Sequence, residues 1–479
     1  VSGPANGPIR CDVCVIGAGS GGLSVAAGAA QMGASVVLVE RGEMGGDCLN
    51  AGCVPSKSLL AAAKAAQAVR GAGRFGVLAP EPGIDAARVR AHVRGVIEAI
   101  APHDGQERFE GLGVRVLRAH ARFAGPGRVE AGGVAVEARR FVIATGSRPA
   151  LPPIPGLGEV PYLTNETVFD GPDIPRRLVV IGGGPIGLEM AQAHRRLGAE
   201  VTVLEAATLL PRDEPEHAAE LRGCLEAEGI RIVEGARIAR VERAGVGGEE
   251  GVAAVLEDGA RVEGTHLLVA TGRRPELGGL GLDEAGVRHG PRGVEVDARL
   301  RTSNPRVFAV GDAAGGPQFT HVAGYQAGIV IRNALFRLPA KVDYAALPWV
   351  TYTGPELAQV GLTEARAREA HGEVRVLRWR FEENDRARAE GAARGGVKAV
   401  VTPRGRILGA SILGEHAGEL IQTWALAIQN GLKIGAVAQL FAPYPTLGEA
   451  SKRAAGSFYA ERLFGAGTRR LVRLLARLG

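Results

Sequence analysis

The segment GGDCLNAGCVPSK, Gly45 to Lys57, carries two thiols and an amine within thirteen residues, a combination suited to thiol–disulfide exchange. Cys48 and Cys53 lie five positions apart. On a regular helix that spacing rises about 7.5 Å, more than the roughly 4.4–6.8 Å between the Cα atoms of a disulfide. If the two bridge, the backbone must bend between them, and Gly46 and Gly52 permit a bend. A bridge over so short a loop adds little through chain entropy, which favours a redox role over a structural one. Pro55 suits the first turn of a helix. Cys53 would then sit near a helix N-terminus, where a thiol ionises more readily. Lys57 supplies a cation that favours a thiolate. Cys11 and Cys14 form a C-x-x-C on an expected strand, where their side chains should point to opposite faces. Cys224 lies in a charged helical stretch and reads as a spectator. No metal site is expected.

The elements that must position these groups are set by a repeat. DVCVIGAGSGGLSVAAGAAQMGASVVLVE, ending at Glu40, matches RLVVIGGGPIGLEMAQAHRRLGAEVTVLE, ending at Glu205, without a gap. Gly17, Gly19, Gly22 and Glu40 correspond to Gly182, Gly184, Gly187 and Glu205. Each copy reads as strand, glycine turn, Ala-rich helix and second strand, the βαβ unit of a dinucleotide fold. The first glycine lets the chain turn out of the strand. The second lets the backbone approach a pyrophosphate, and the third lets helix and strand close up. The pyrophosphate then rests on free N–H groups at the helix start, and the terminal Glu accepts from ribose hydroxyls. Two adenine dinucleotides are expected. Glu205 suits a free ribose 2′-hydroxyl and repels a 2′-phosphate. Ala206 and Ala207 add no cation, and Arg212 is the first basic residue behind them.

Further echoes support a duplication. FVIATGSRP and LLVATGRRP place Gly146 and Gly272 in matching turns after buried strands. VFAVGDAAG ends a strand at Gly311 and Asp312, whose carboxylate could hold sugar or polyol hydroxyls. Helices are expected over 55–70 and 86–110, small meanders over 114–140 and 230–268, and an α+β domain from about Leu347. The remaining composition is ordinary. With 46% apolar and 23% charged residues in 479, the chain suits several globular domains and not wholesale disorder. The net charge of +6 is spread along the chain, so nucleic acid is not an expected partner. No apolar run reaches the length of a membrane span and no export signal is read near Val1, so a cytoplasmic location is expected. Leu471, Leu474, Leu475 and Leu478 recur at helical spacing among arginines. That pattern suits a docking helix, the preferred reading, or an interfacial membrane helix.

Taken in order, these motifs resemble the class I pyridine nucleotide-disulfide oxidoreductases, which include dihydrolipoamide dehydrogenase, glutathione reductase and mercuric reductase. The resemblance covers nearly the whole chain. It implies an α/β architecture with two Rossmann-like domains, for FAD and NAD(P), and a C-terminal α+β dimerisation domain. The implied boundaries are 1–155 and 281–345 for the FAD domain, 156–280 for the NAD(P) domain, 346–465 for dimerisation and 466–479 for a basic amphipathic tail. FAD would lie on Gly17, Gly19, Gly22, Glu40 and Asp312. The nicotinamide cofactor would lie on Gly182, Gly184, Gly187 and Glu205, and Gly146, Gly272 and Gly311 would be further cofactor-binding residues. The resemblance further implies that Cys48 and Cys53 form a redox disulfide. Cys48 would exchange with substrate and Cys53 would face the flavin. Lys57 would sit near the flavin ring with Glu189 as its partner, and the helix from Thr320 would aim its N-terminus at the flavin.

One departure bears on the substrate. Family members that act on disulfides carry His-Pro-Thr…Glu near the C-terminus, whereas this chain reads APYPTLGEA, with Tyr444 at the His position and Glu449 retained. Tyrosine, with a pKa of about 10, is a poor proton acceptor at neutral pH. Mercuric reductases resemble the chain in having Tyr there but end in a vicinal cysteine pair, and no Cys follows Cys224. The expected function is therefore electron transfer from NADH through FAD to Cys48–Cys53 and on to a disulfide or soft-metal thiolate, in a mercuric-reductase-like branch. Dihydrolipoamide oxidation and redox sensing through a protein partner are the alternatives. A homodimer with active sites shared between subunits is expected.

Overall fold

The computed structural model describes residues 7–171 and 173–478. Two compact units emerge. One holds the chain up to Gly182 together with Ala239–Val342, and the other holds Gly183–Ile238 and the chain from Asp343.

The first unit is built on a seven-stranded sheet. Strand β1 (Ile9–Ile16) runs parallel to β2 (Val36–Glu40) on one side and β6 (Val134–Ile143) on the other. With β3 (Arg115–Arg118), β4 (Ala121–Gly125) and β5 (Arg128–Ala131), the order is β3-β2-β1-β6-β5-β4. The strand Val307–Ala309 pairs parallel with β6. Runs such as Val36–Val39 are apolar at every position because both sheet faces are covered. One face packs on helix α1 (Ser20–Gln31), through Leu23, Val25 and Ala29, and on Ile329 and Val330 of the helix Thr320–Ala334. The other face packs Phe123, Val129, Phe141, Leu280 and Leu282 together. Small residues on α1 let the two helices approach, since a Cβ on Gly28 would stand 2.4 Å from Ile331 Cδ1.

The meanders form with one change each. Antiparallel pairing joins β4, β5 and β6, but β3 lies parallel to β2 at the sheet edge. Likewise Arg231–Glu234 lies parallel to Glu200–Glu205, leaving Ile238–Val246, Glu249–Leu256 and Arg261–Gly264 as a three-stranded antiparallel sheet. A short alternating strand satisfies a parallel edge as well as a hairpin, so the pattern alone did not separate them. The expectation for Cys11 and Cys14 is corrected. The amides of Asp12 and Val13 both donate to the Ser35 carbonyl, at 3.0 and 3.1 Å. This bulge-like irregularity slips the alternation, and both thiols pack on the same core cluster. Burial raises both, Cys11 to about 11, which leaves them unreactive as nucleophiles.

In the second unit, the helix Pro185–Arg196 packs against Glu200–Glu205. A five-stranded antiparallel sheet follows in the order Pro348–Thr351, Glu356–Gly361, Ile407–Gly414, Gly396–Val401, Arg375–Arg380. Its core centres on the fully buried Trp424, whose indole N–H donates to Ser451 Oγ at 3.0 Å. The two parts of this unit are tied by a buried charge. Lys398 Nζ meets Glu214, Glu216 and Glu364 at 2.7, 3.1 and 2.9 Å. An ammonium so enclosed is tolerable only because its donors are answered by carboxylates.

Candidate active site

Both glycine turns are held by the acid at the end of their own repeat. Glu40 accepts from the Ala18 amide at 2.6 Å and from Gly42 at 2.7 Å. Glu205 accepts from the Gly183 amide at 2.7 Å and from Ala207 at 2.8 Å. Each carboxylate thus latches the middle residue of its Gly-x-Gly and keeps a lone pair on each oxygen for a further donor. Gly17 and Gly182 take φ of +105° and +116°. A Cβ on either would fall 2.4 Å from the carbonyl of Ala144 or Ala270. Gly22 is tighter, its Cβ position lying 1.8 Å from Gly17 O. Gly187 is buried at the matching turn of Pro185–Arg196. By contrast, a Cβ on Gly19 would meet nothing closer than 3.9 Å, and one on Gly184 nothing within 4 Å. These second glycines are not demanded by the chain's own packing. They border open space at helix starts with no side-chain cap among the described residues.

The cysteine segment hangs from the first of these turns. The Gly45 amide donates to Ala18 O at 2.9 Å, and a Cβ on Gly46 would lie 2.7 Å from Gly19 Cα. Cys48 lies on the short helix α2 (Gly46–Asn50), and Cys53 is the first residue of α3 (Cys53–Gly71). The expected bend falls at Gly52, where a Cβ would stand 2.8 Å from Asp47 O and 3.2 Å from Cys48 Cα. Both sulfurs are free thiols in this structure. They share a hydrogen bond, and it divides them. Accepting from Cys48, together with Thr320 Oγ1 at 3.3 Å and the Lys57 charge, brings Cys53 down to about 6. The same bond and burial push Cys48 well above the usual thiol range. Thr320 begins the helix Thr320–Ala334, so this helix start lies beside Cys53.

A polar chain that the sequence did not announce runs behind the pair. Asp47, next to Cys48, forms an ion pair with Arg273 Nη2 at 3.1 Å and accepts from Asn165 Nδ2 at 3.0 Å. Arg273 also donates to Ser147 Oγ at 2.7 Å, and Ser147 Oγ donates to Asp312 Oδ2 at 2.5 Å. Burial raises the Asp312 carboxyl against the opposing pull of Ser147 and Arg273. Ser147 and Arg273 follow Gly146 and Gly272 in the two Thr-Gly echoes, and their strands pair antiparallel. Gly146, Gly272 and Gly311 all have positive φ, at +69°, +111° and +65°. The Gly311 amide donates to the buried Gln326 at 2.6 Å, which fixes the turn carrying Asp312.

The remaining candidates lie in the second unit. Glu189 is buried on Pro185–Arg196 and accepts from the Tyr352 amide at 2.9 Å. Gln192 exchanges hydrogen bonds with both backbone groups of Gly354, holding that helix in place. Tyr444 is 72% exposed, and its phenol donates to Asp385 Oδ2 at 3.1 Å. The Asp385 carboxylate, with a smaller contribution from Glu449, raises the phenol above its usual range. Glu449 opens the helix Glu449–Leu463. His416 takes φ of +58° at the start of Ala417–Gln429, a capping position.

Comparison with known proteins places this geometry. Residues 11–327 match the family described as pyridine nucleotide-disulphide oxidoreductase, and 347–455 match its dimerisation domain. The chain belongs to this family. A mercuric reductase of Streptomyces lividans is 40% identical over 461 residues, which cover 94% of this chain and 96% of that one. A dihydrolipoyl dehydrogenase of Thermus scotoductus is 38% identical over 462 residues, covering 94% and 98%. Among solved structures, the HOCl-induced flavoprotein disulfide reductase RclA of Escherichia coli, in a Cu(II) complex, has a TM-score of 0.83 at 27% identity, covering 92% and 98%. LpdA of Mycobacterium tuberculosis has 0.85 at 27%, covering 94% and 99%.

As a pyridine nucleotide-disulphide oxidoreductase, the chain is an FAD-dependent enzyme that uses NAD(P)H, and its dimerisation domain makes it a homodimer. The first unit fits FAD. Open space at Gly19, uncapped amides at the start of α1 and the spare lone pairs of Glu40 suit a pyrophosphate and an adenosine ribose. Among the described residues, no helix is long and apolar enough to cross a membrane.

Proposed function

We propose that this oxidoreductase passes electrons from NADH through FAD to Cys48 and Cys53, and on to a disulfide or soft-metal thiolate acceptor. The observation that supports this reading is the unequal thiol pair, built on the same loop that borders the first dinucleotide position. FAD, when bound, supplies the two-electron carrier between nicotinamide and thiols. The chain's own residues do the rest. Cys53 holds the thiolate, supported by Thr320, Lys57 and its helix start. Cys48 attacks one sulfur of the acceptor and gives up its proton to the other, which departs as a thiol. Cys53, already a thiolate, then attacks Cys48 Sγ, which closes the Cys48–Cys53 bond and releases the second sulfur as a thiolate that takes a proton from solvent. Tyr444 and Glu449 of the partner subunit are assigned to the substrate side of the pair. In this reading the FAD domain comprises 1–155 and 281–345, the NAD(P) domain 156–280, the dimerisation domain 346–465 and the tail 466–479. A cytoplasmic setting is part of this reading, because a tight bridge there serves redox exchange and not structure.

Steady-state NADH oxidation with oxidised glutathione, lipoamide, Hg(II)-thiolate and protein disulfides tests the acceptor class. The 38% identity to a dihydrolipoyl dehydrogenase favours lipoamide chemistry as a second reading. Tyr444 argues against it, because its phenol donates to Asp385, is raised above its usual range and so stays protonated and a poor base near neutral pH. Replacing Tyr444 by His should raise lipoamide turnover at pH 7 by at least about tenfold, within the range of general acid–base help. Full-speed dihydrolipoamide oxidation by the wild type would overturn this role for Tyr444.

Cofactor choice is tested separately. Each oxygen of Glu205 already accepts one amide and keeps acceptor capacity for a ribose hydroxyl. A 2′-phosphate would meet that carboxylate with no cation from Ala206 or Ala207. We expect kcat/KM for NADH to exceed that for NADPH by at least about tenfold. A preference for NADPH would refute the assignment.

A further inference from the structure

The helix Ala466–Leu475 and the turn after it belong to neither the redox site nor the matched dimerisation region, which ends at residue 455. The sequence pattern suited a docking helix, yet none of its residues is buried. Leu471, Leu474, Leu475 and Leu478 are 53%, 57%, 54% and 77% exposed. At about 100° per residue Leu471, Leu474 and Leu475 fall on one side of the helix, within an arc of about 100°, and Leu478 follows just after the turn beyond it. Arg470 and Arg477 border one edge of that stripe, Arg469 lies toward the other, and Arg473 lies behind. Among the described residues none of the four guanidiniums forms an ion pair, and from Arg462 onward the sequence holds five arginines and no acid. Phe464, just before the helix, is 70% exposed.

We propose that this helix is an interfacial anchor that lays its leucine face into an anionic lipid surface. The apolar stripe is too narrow and too interrupted to span a bilayer, but its shape and charge fit the boundary between headgroups and acyl chains. The bordering arginines can extend their stems along the leucines and place their guanidiniums at lipid phosphates. A second copy of the chain is a poor occupant of the same face, because it would bring the same positive charge to the contact. The anchor would hold the oxidoreductase at a membrane surface without altering its chemistry.

The test uses the full-length, FAD-loaded dimer and sedimentation with vesicles of phosphatidylcholine, alone or mixed with phosphatidylglycerol. Binding is expected to the anionic vesicles only, and to fall steeply as salt is raised. Changing Arg469, Arg470, Arg473 and Arg477 together to Gln should weaken it on the order of 100-fold or more. Leu474→Glu with Leu475→Glu should abolish it. In both variants flavin content and NADH oxidation with a soluble acceptor should be unchanged, because the helix is solvent-exposed and outside the site. Three results would each overturn the proposal: no binding to anionic vesicles, equal binding to neutral ones, or assembly beyond the dimer that the Leu474→Glu, Leu475→Glu change dissolves.

Discussion

Serine at position 53 is expected to erase the long-wavelength absorbance that two-electron reduction should give the wild type, and to lower disulfide turnover by about 10³-fold or more. That absorbance needs a thiolate beside oxidised flavin. Cys53 is the thiol whose charge is favoured, by the Cys48 hydrogen bond, Thr320 and Lys57. Cys48 is displaced the other way by the same bond and by burial. Serine at position 48 should therefore keep the band while turnover collapses. The band should also titrate. It is fully developed above the Cys53 pKa and fades as pH falls through about 6, because protonation removes the donor. Anaerobic titration with NADH or dithionite, followed by absorbance, separates the two thiols. A band that survives Cys53→Ser and disappears in Cys48→Ser would reverse the assignment.

Alanine at Gly22 and alanine at Gly19 are expected to fail for different reasons. At Gly22 the new methyl would lie 1.8 Å from Gly17 O and 3.3 Å from Ala144 Cβ. Neither neighbour can retreat, since Gly17 forms the turn that joins β1 to α1 and Ala144 follows directly on the buried strand β6. The cost should exceed the roughly 1–3 kcal/mol usual for overpacking, and thermal melting of the flavin-free protein should fall by several degrees or more. At Gly19 the methyl meets no chain atom closer than 3.9 Å, and φ is an ordinary −83°. That variant should melt like the wild type without flavin, yet retain FAD at least about tenfold more weakly, because the methyl occupies space left for a pyrophosphate. Flavin-to-protein ratio after gel filtration, measured beside melting temperature, distinguishes the two. Normal flavin content in Gly19→Ala would show that the open space serves another purpose.

The parts that sequence reading reached are those encoded locally. The repeat exposed both βαβ units because strand, turn and helix follow one another without interruption. The bend between Cys48 and Cys53 was legible from spacing and glycine alone, and Gly52 is where it occurs. What was missed depends on residues far apart in the chain. Thr320 reaches Cys53 across 267 positions, and Arg273 links Asp47 to Ser147 only after two distant strands pair. A signal did exist for the latter, since Ser147 and Arg273 occupy matching places in the two Thr-Gly echoes. Asp385 as the partner of Tyr444 had no such signal. The Cys11 and Cys14 expectation failed because strand alternation was extended through Asp12, where two consecutive amides share one carbonyl.

The latch at the end of each repeat limits how such a protein can change its diet of reductant. Engineers commonly convert an NADH enzyme toward NADPH by exchanging the acid at the ribose for a cation. Here the acid at 205 also closes the glycine turn through the amides of Gly183 and Ala207. An arginine in its place would offer donors to donors, and the loop would lose its shape along with the NADH preference proposed for it. A workable route must keep Glu205, or restore an acceptor for Gly183 from elsewhere, and recruit positive charge at Ala206 or Ala207. Selection working one substitution at a time meets the same obstacle, so the two tasks of this carboxylate hold each other in place.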